Sequence, residues 1–167
     1  MSKQVTVEFS QGDHVVYPTH GVGEIIGFEE QSIADMTVKL VVIQFERDRM
    51  ILRVPENKAK ASGLRKLSSK EDMSIALDKL QRRTRAKRAM WSRRAQEYET
   101  KINSGNPATI AEVVRELYRS EDEEQSYSER QMYQTALKRL AREFAVVEKI
   151  DEDAAAQRLE EIMKSAA

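Results

Sequence analysis

The 167-residue chain has no cysteine, so it has no disulfide framework and no thiolate metal site. That absence fits a reducing compartment. Its only histidines, His14 and His20, share one glycine-rich stretch. A metal centre or an imidazole-based catalytic site needs more partners than these two provide. Their rings are read as braces for tight turns. The longest purely aliphatic run is "LVVI", residues 40–43. A membrane span needs ~20 apolar residues. The opening "MSKQVTVEFSQGD" lacks the apolar segment of a signal peptide. "HGVG" lacks the lysine and the strand-to-helix setting of a phosphate-cradling loop. These gaps point to a cytoplasmic protein that is not an enzyme and carries no cofactor.

A net charge of zero is a further absence, and it conceals a partition. Residues 1–64 carry seven Lys/Arg against nine Asp/Glu; residues 65–101 carry twelve against five; residues 102–167 carry nine against fourteen. The middle block is therefore at +7, between blocks at −2 and −5. From Lys79 to Arg94 there are eight bases and no acid. A field divided in this way says more about partners than the overall charge does.

The pattern changes once along the chain. "GDHVVYPTHGVGEIIGFEE", "MTVKLVVIQFE" and "MILRVP" are short apolar runs rich in Val and Ile and broken by glycine. They predict a small β-barrel or curled sheet, with "RDR" at 47–49 as a hairpin tip. After Pro55 the periodicity is helical. Ser68 or Ser69 caps a helix carrying Met73, Leu77 and Leu80. Gly105 closes one helix, Asn106 caps the next, and Pro107 fits its first turn. Ile110, Val113, Val114, Leu117 and Tyr118 form one apolar face. Ser128 with Gln131, or Ser126 with Glu129, caps a long helix with Tyr133, Leu137, Leu140, Phe144 and Val147 on its buried side. Asp151 caps a last helix that turns Leu159, Ile162 and Met163 inward. The expected fold class is α+β in two parts: a β module over residues 1–62 and an all-α domain of four or five helices over residues 63–167. The boundary lies in the stretch 58–70.

"KRAMWSRRAQEY", residues 87–98, holds the only tryptophan. On a helix Lys87, Trp91 and Arg94 share a face. Arginines so placed neutralise phosphates, and an apolar wedge can enter between unstacking bases. Trp91, Ala95, Tyr98 and Ile102 are also spaced as an ordinary buried stripe, and spacing alone favours that packing role. A basic run alone is more often a solvated face. "QRRTRAKRA" lacks the apolar half of a membrane-surface helix.

Four blocks, in order and nearly end to end, are "GDHVVYPTHGVGEI", "ILRVPENKAKASGLRKL", "WSRR" and "SGNPATIAEVVRELY". Together they resemble the CarD/CdnL family of bacterial transcription regulators. The first block alone also resembles the polymerase-binding module of transcription-repair coupling factors, which are large helicases; this chain has no motor. The resemblance implies that the β module is Tudor-like and docks on the RNA polymerase β subunit. Docking would run through "MILRVP", with Arg53 and Pro55 at matching contact positions. On a strand, Ile51, Arg53 and Pro55 share one face while Leu52 and Val54 face the core. Pro55 is tolerated at a sheet edge, and an edge strand is a natural docking surface. The resemblance further implies that Trp91 is a wedge at the upstream edge of the melted promoter −10 region, stabilising the open complex. Arg93 and Arg94 match phosphate-contacting residues beside it, Lys87 joins them on the helix face, and Arg130 aligns with a basic residue on the later helix. Gln31 and Gln96 fall where some relatives have basic residues. The expected partners are the polymerase β subunit and promoter DNA, with no membrane, and the expected state is a monomer. A non-enzymatic scaffold whose basic helix binds an acidic protein is the alternative. An RNA-binding barrel is disfavoured by the slightly acidic first block with few aromatics.

Overall fold

The two sequence patterns become two structural units, Met1–Leu67 and Ser68–Ala167. The computed structural model describes residues 9–18, 20–45, 49–59, 61–82, 90–119 and 124–166. The division falls inside the 58–70 stretch because Leu64 joins the sheet's core and the strand after it pairs with the sheet.

The first unit is an antiparallel sheet of β1 (His14–Tyr17), β2 (Gly21–Ile33), β3 (Met36–Phe45), β4 (Met50–Pro55) and β5 (Arg65–Lys66). A one-turn helix, α1 (Glu56–Ala59), follows β4. The strand order is β4-β3-β2-β1-β5. Where the sequence suggests a small barrel, the described residues form an open sheet with β4 and β5 at its edges. The two-residue β5 is too short to complete a closure.

Alternation along the strands builds the core. Val41, Ile43 and Phe45 of β3 point to the side that also receives Val15, Ile25, Val54, Ala59 and Leu64. Gly23 is required by this packing: a Cβ there would stand 2.7 Å from the Ile43 side chain and 2.8 Å from the Phe45 ring. The far half of the β2–β3 hairpin pairs with neither β1 nor β4. Its two-residue turn, Ala34–Asp35, has both residues at positive φ, +48° and +65°, as the right-handed twist of the strands demands. Of the expected 47–49 hairpin tip, residues 47 and 48 lie outside the described residues; Arg49 has φ +49°.

The described residues of the second unit form five helices: α2 (Lys70–Gln81), α3 (Trp91–Asn103), α4 (Pro107–Leu117), α5 (Tyr127–Glu148) and α6 (Glu152–Ala166). Their starts are mostly written in side chains. Ser69 Oγ accepts from the Asp72 N–H, Asn106 Oδ1 from Ala108 and Thr109, and Asp151 Oδ1 from Ala154. Of the two frames open for α5, Ser126 is the cap, accepting from the Glu129 N–H at 3.2 Å. Gly105, at φ +72°, ends the preceding helix in the left-handed conformation that glycine adopts most cheaply. The core joins Met73 and Leu80 of α2 to Tyr98 and Ile102 of α3, and the α4 face to Leu137, Leu140, Phe144, Leu159 and Met163. Leu77, Tyr118, Val147 and Ile162 pack at its margin. Glu143 is buried and accepts the Ser68 N–H at 2.9 Å, which anchors the chain entering α2. No helix among the described residues is long and apolar enough to cross a membrane.

Candidate nucleic-acid interface

The expected stripe Trp91, Ala95, Tyr98, Ile102 does run along one side of α3, but its burial is graded. Tyr98 and Ile102 are enclosed at 0% and 3% exposure, while Ala95 and Trp91 are only half-buried. The stripe leaves the core at its N-terminal end, and Trp91 is the residue at which it leaves. Its indole packs on the margin of the helical core, 6.2 Å from the Tyr98 ring and tilted by 49°.

The start of α3 differs from the others. Met90 occupies the cap position, offers no capping side chain, and is 78% exposed. The first turn holds no acid. Among the described residues, no side chain caps this positive helix end where Trp91 sits. The surrounding framework is tied down. Glu112 of α4 bridges Lys79 of α2 at 3.3 Å and Lys101 of α3 at 3.5 Å. Arg115 Nε donates to the Arg82 carbonyl at 2.7 Å, pinning the end of α2. Lys87 lies outside the described residues.

Arg93 and Arg94 are adjacent in sequence and differ in surroundings. Arg93 is exposed. Arg94 is half-buried; its guanidinium stands over the Trp91 ring at 5.7 Å and over the Tyr98 ring at 5.6 Å. Arg94 also donates to the Tyr98 hydroxyl at 3.1 Å. That hydroxyl in turn donates to Glu116 of α4. Burial pushes the Tyr98 phenol above its ordinary pKa; the Arg94 hydrogen bond opposes this and Glu116 reinforces it, so the phenol stays a neutral donor. Arg130, in the first turn of α5, is exposed, and its side chain joins no hydrogen bond or ion pair among the described residues. Tyr127 beside it is 77% exposed. The structure thus brings Trp91, Arg93 and Arg94 together on one helix start; Arg130 stands on another helix.

In the first unit, β4 is an edge strand. Ile51 is 47% exposed and Arg53 is exposed, while Val54 is buried and Leu52 packs against the core. Pro55 is half-buried and pairs with Leu40. Arg53 donates from Nε to Glu29 Oε2 at 2.8 Å and from a terminal nitrogen to Oε1 at 3.5 Å. The hydrogen bond to Glu29, then its charge, raises the arginine's pKa further. This partner is invisible in the sequence. Arg53 is opposite Val42, and Val42 is opposite Gly27; Glu29 lies two residues beyond, on the same face. Because Gly27 has no side chain, the arginine crosses the sheet to reach it. The Arg94–Tyr98 pair was half legible, since both residues lie at helical spacing, but nothing in the spacing says that they bond.

Comparison with known proteins gives the same division. Residues 9–68 match the CarD-like/TRCF RID domain, and residues 76–160 match the CarD C-terminal domain. A relative is YdeB of Bacillus subtilis (strain 168), named as a candidate transcription factor. It is 29% identical over 145 residues, covering 86% of this chain and 95% of that protein. The solution structure of the 72-residue N-terminal domain of Myxococcus xanthus CarD is 34% identical. That similarity covers 35% of this chain and 79% of that one, with a TM-score of 0.31. With both family domains present in order and together spanning most of its length, this chain belongs to the CarD family of transcription regulators, a family that interacts with RNA polymerase.

Proposed function

We propose that this chain docks on the RNA polymerase β subunit through the β4 edge, with Ile51, Arg53 and Pro55 as contacts, and stabilises the open promoter complex through its helical unit. Trp91 is the wedge, applied to promoter DNA at the upstream edge of the melted −10 region. Arg93, Lys87 and Arg130 supply the positive field that draws the phosphate backbone, and Arg94 stands against the indole itself.

The observation that carries this reading is the start of α3: a half-buried indole at a helix terminus with no side-chain cap among the described residues and no acid in its first turn. Such a terminus favours an anion. An aromatic beside it can stack on an unpaired base, worth ~1–3 kcal/mol. Each phosphate neutralised adds about 0.9 to the log–log salt slope. Neither effect locates a promoter alone. Tethering by the sheet unit raises the local concentration enough for the contact to shift an opening equilibrium.

The test replaces Trp91 by alanine and measures folding, polymerase binding and open-complex lifetime separately. The expected outcome is retained folding and docking with a shortened lifetime. Loss of several kcal/mol of stability would make Trp91 a packing residue instead. Normal opening would leave the basic segment to an acidic protein partner.

A further inference from the structure

We infer that Arg94 is a positioning residue: anchored by the buried Tyr98 hydroxyl, it braces the Trp91 indole, and Arg93 is the exposed cation of the pair. The inference rests on the wedge reading above and specifies how the wedge is held.

A tryptophan at the first position of a helix has no preceding turn to pack against, so its rotamers are weakly constrained by its own helix. An indole free to swing would lose rotamer entropy on entering a duplex. Here the ring is constrained from its C-terminal side. Tyr98 lies two turns along the same face and is fully enclosed. Its ring is tilted against the indole, and Arg94, one turn along the helix, covers both rings. The guanidinium is in turn located by its hydrogen bond to the Tyr98 hydroxyl, itself held by Glu116. Position is thus relayed from the buried α4 to Tyr98, to Arg94, to Trp91. Arg94 Nε is buried and has no hydrogen-bond partner among the described residues. A cation spent on two ring faces and one phenol is poorly available to a phosphate. Arg93, on the exposed side, has no such engagement among the described residues.

Trp91 is the only tryptophan, so emission excited at the red edge, where the five tyrosines do not absorb, reports on this ring alone. The experiment compares Arg94→Gln, Arg94→Lys and Tyr98→Phe. It reads Trp91 anisotropy and acrylamide quenching, melting temperature, open-complex lifetime with polymerase, and the salt dependence of that lifetime effect. The brace predicts faster quenching and lower anisotropy in Arg94→Gln. The opening effect should fall about two- to five-fold, as expected for loss of a cation–π contact at a partly exposed site, with the salt slope unchanged. Tyr98→Phe should move the same spectroscopic readouts in the same direction, although Tyr98 is too enclosed to touch DNA. Arg94→Lys should restore only part of the signal, since an ammonium cannot cover two rings at once. A phosphate contact predicts the reverse and would overturn the inference: unchanged fluorescence in all three, a salt slope lower by about 0.9 in Arg94→Gln, and a silent Tyr98→Phe. Should Tyr98→Phe melt early, the Arg94→Gln spectra and salt slope still decide. If Trp91→Ala leaves opening intact, the wedge reading fails, while the brace still stands or falls on the fluorescence of the tryptophan-containing variants.

Discussion

Each unit presents an arginine beside a partly exposed apolar side chain, and the two are held in opposite ways. Arg53, next to Ile51 on the β4 edge, is paired with a carboxylate, both side chains about half exposed to water. Arg94, next to Trp91, is half-buried between two aromatic rings and bonded to a phenol. An exposed ion pair is screened by salt and readily exchanged for another partner. A guanidinium packed on ring faces is neither. On the docking reading proposed above, a partner's acid or carbonyl would take the place of Glu29 on Arg53. The helix start is suited to delivering one side chain in one pose.

The comparison can be broken at several strengths. Phe45→Ala empties the centre of the sheet's core and should cost about 3–5 kcal/mol, seen in denaturant unfolding followed by a probe in the sheet. Trp91 emission, reporting on the helical unit, should change in a separate and later transition. Trp91→Ala should cost the open complex ~1–3 kcal/mol, a roughly five- to 150-fold shorter lifetime. Its own melting temperature should fall far less than that of a buried-core variant. Met90→Ser supplies the missing cap and should stabilise the helical unit by about 0.5–1 kcal/mol. Met90→Asp should do the same yet weaken the promoter effect, because its carboxylate competes with phosphate at the helix terminus. A Met90→Asp variant with full promoter activity would mean that the open terminus is not used. Glu29→Gln should leave the melting temperature unchanged within error while altering polymerase affinity and its salt dependence. Indifference in both would remove Arg53 from the docking surface.

Most of the architecture could be read without coordinates, for local reasons. Asn106–Pro107, Gly105, Ser69 and Asp151 act within one helical turn, so their roles follow from short stretches. Val41, Ile43 and Phe45 share one face of β3, as alternate residues of a strand must. The α5 start was ambiguous because Ser126 and Ser128 both have a suitable residue three positions on. Tyr127 shows the outcome: it is exposed as the first helical residue, which the Ser126 frame requires. The open form of the sheet was less legible, since closure depends on how many residues of β5 find a partner.

Charge segregation, the single indole in the basic block and the switch from period two to helical spacing are properties of residue order, and they alone decide a two-part protein with a basic, tryptophan-bearing helix. Which arginine of "WSRR" is exposed, how far Trp91 emerges from its stripe and which acid pairs with Arg53 are decided by packing. Glu29 meets Arg53 only through the register of three strands, and Arg94 meets Tyr98 only because α4 encloses that phenol. Burial sets the strength of each contact, and burial is a property of the assembled fold rather than of any segment.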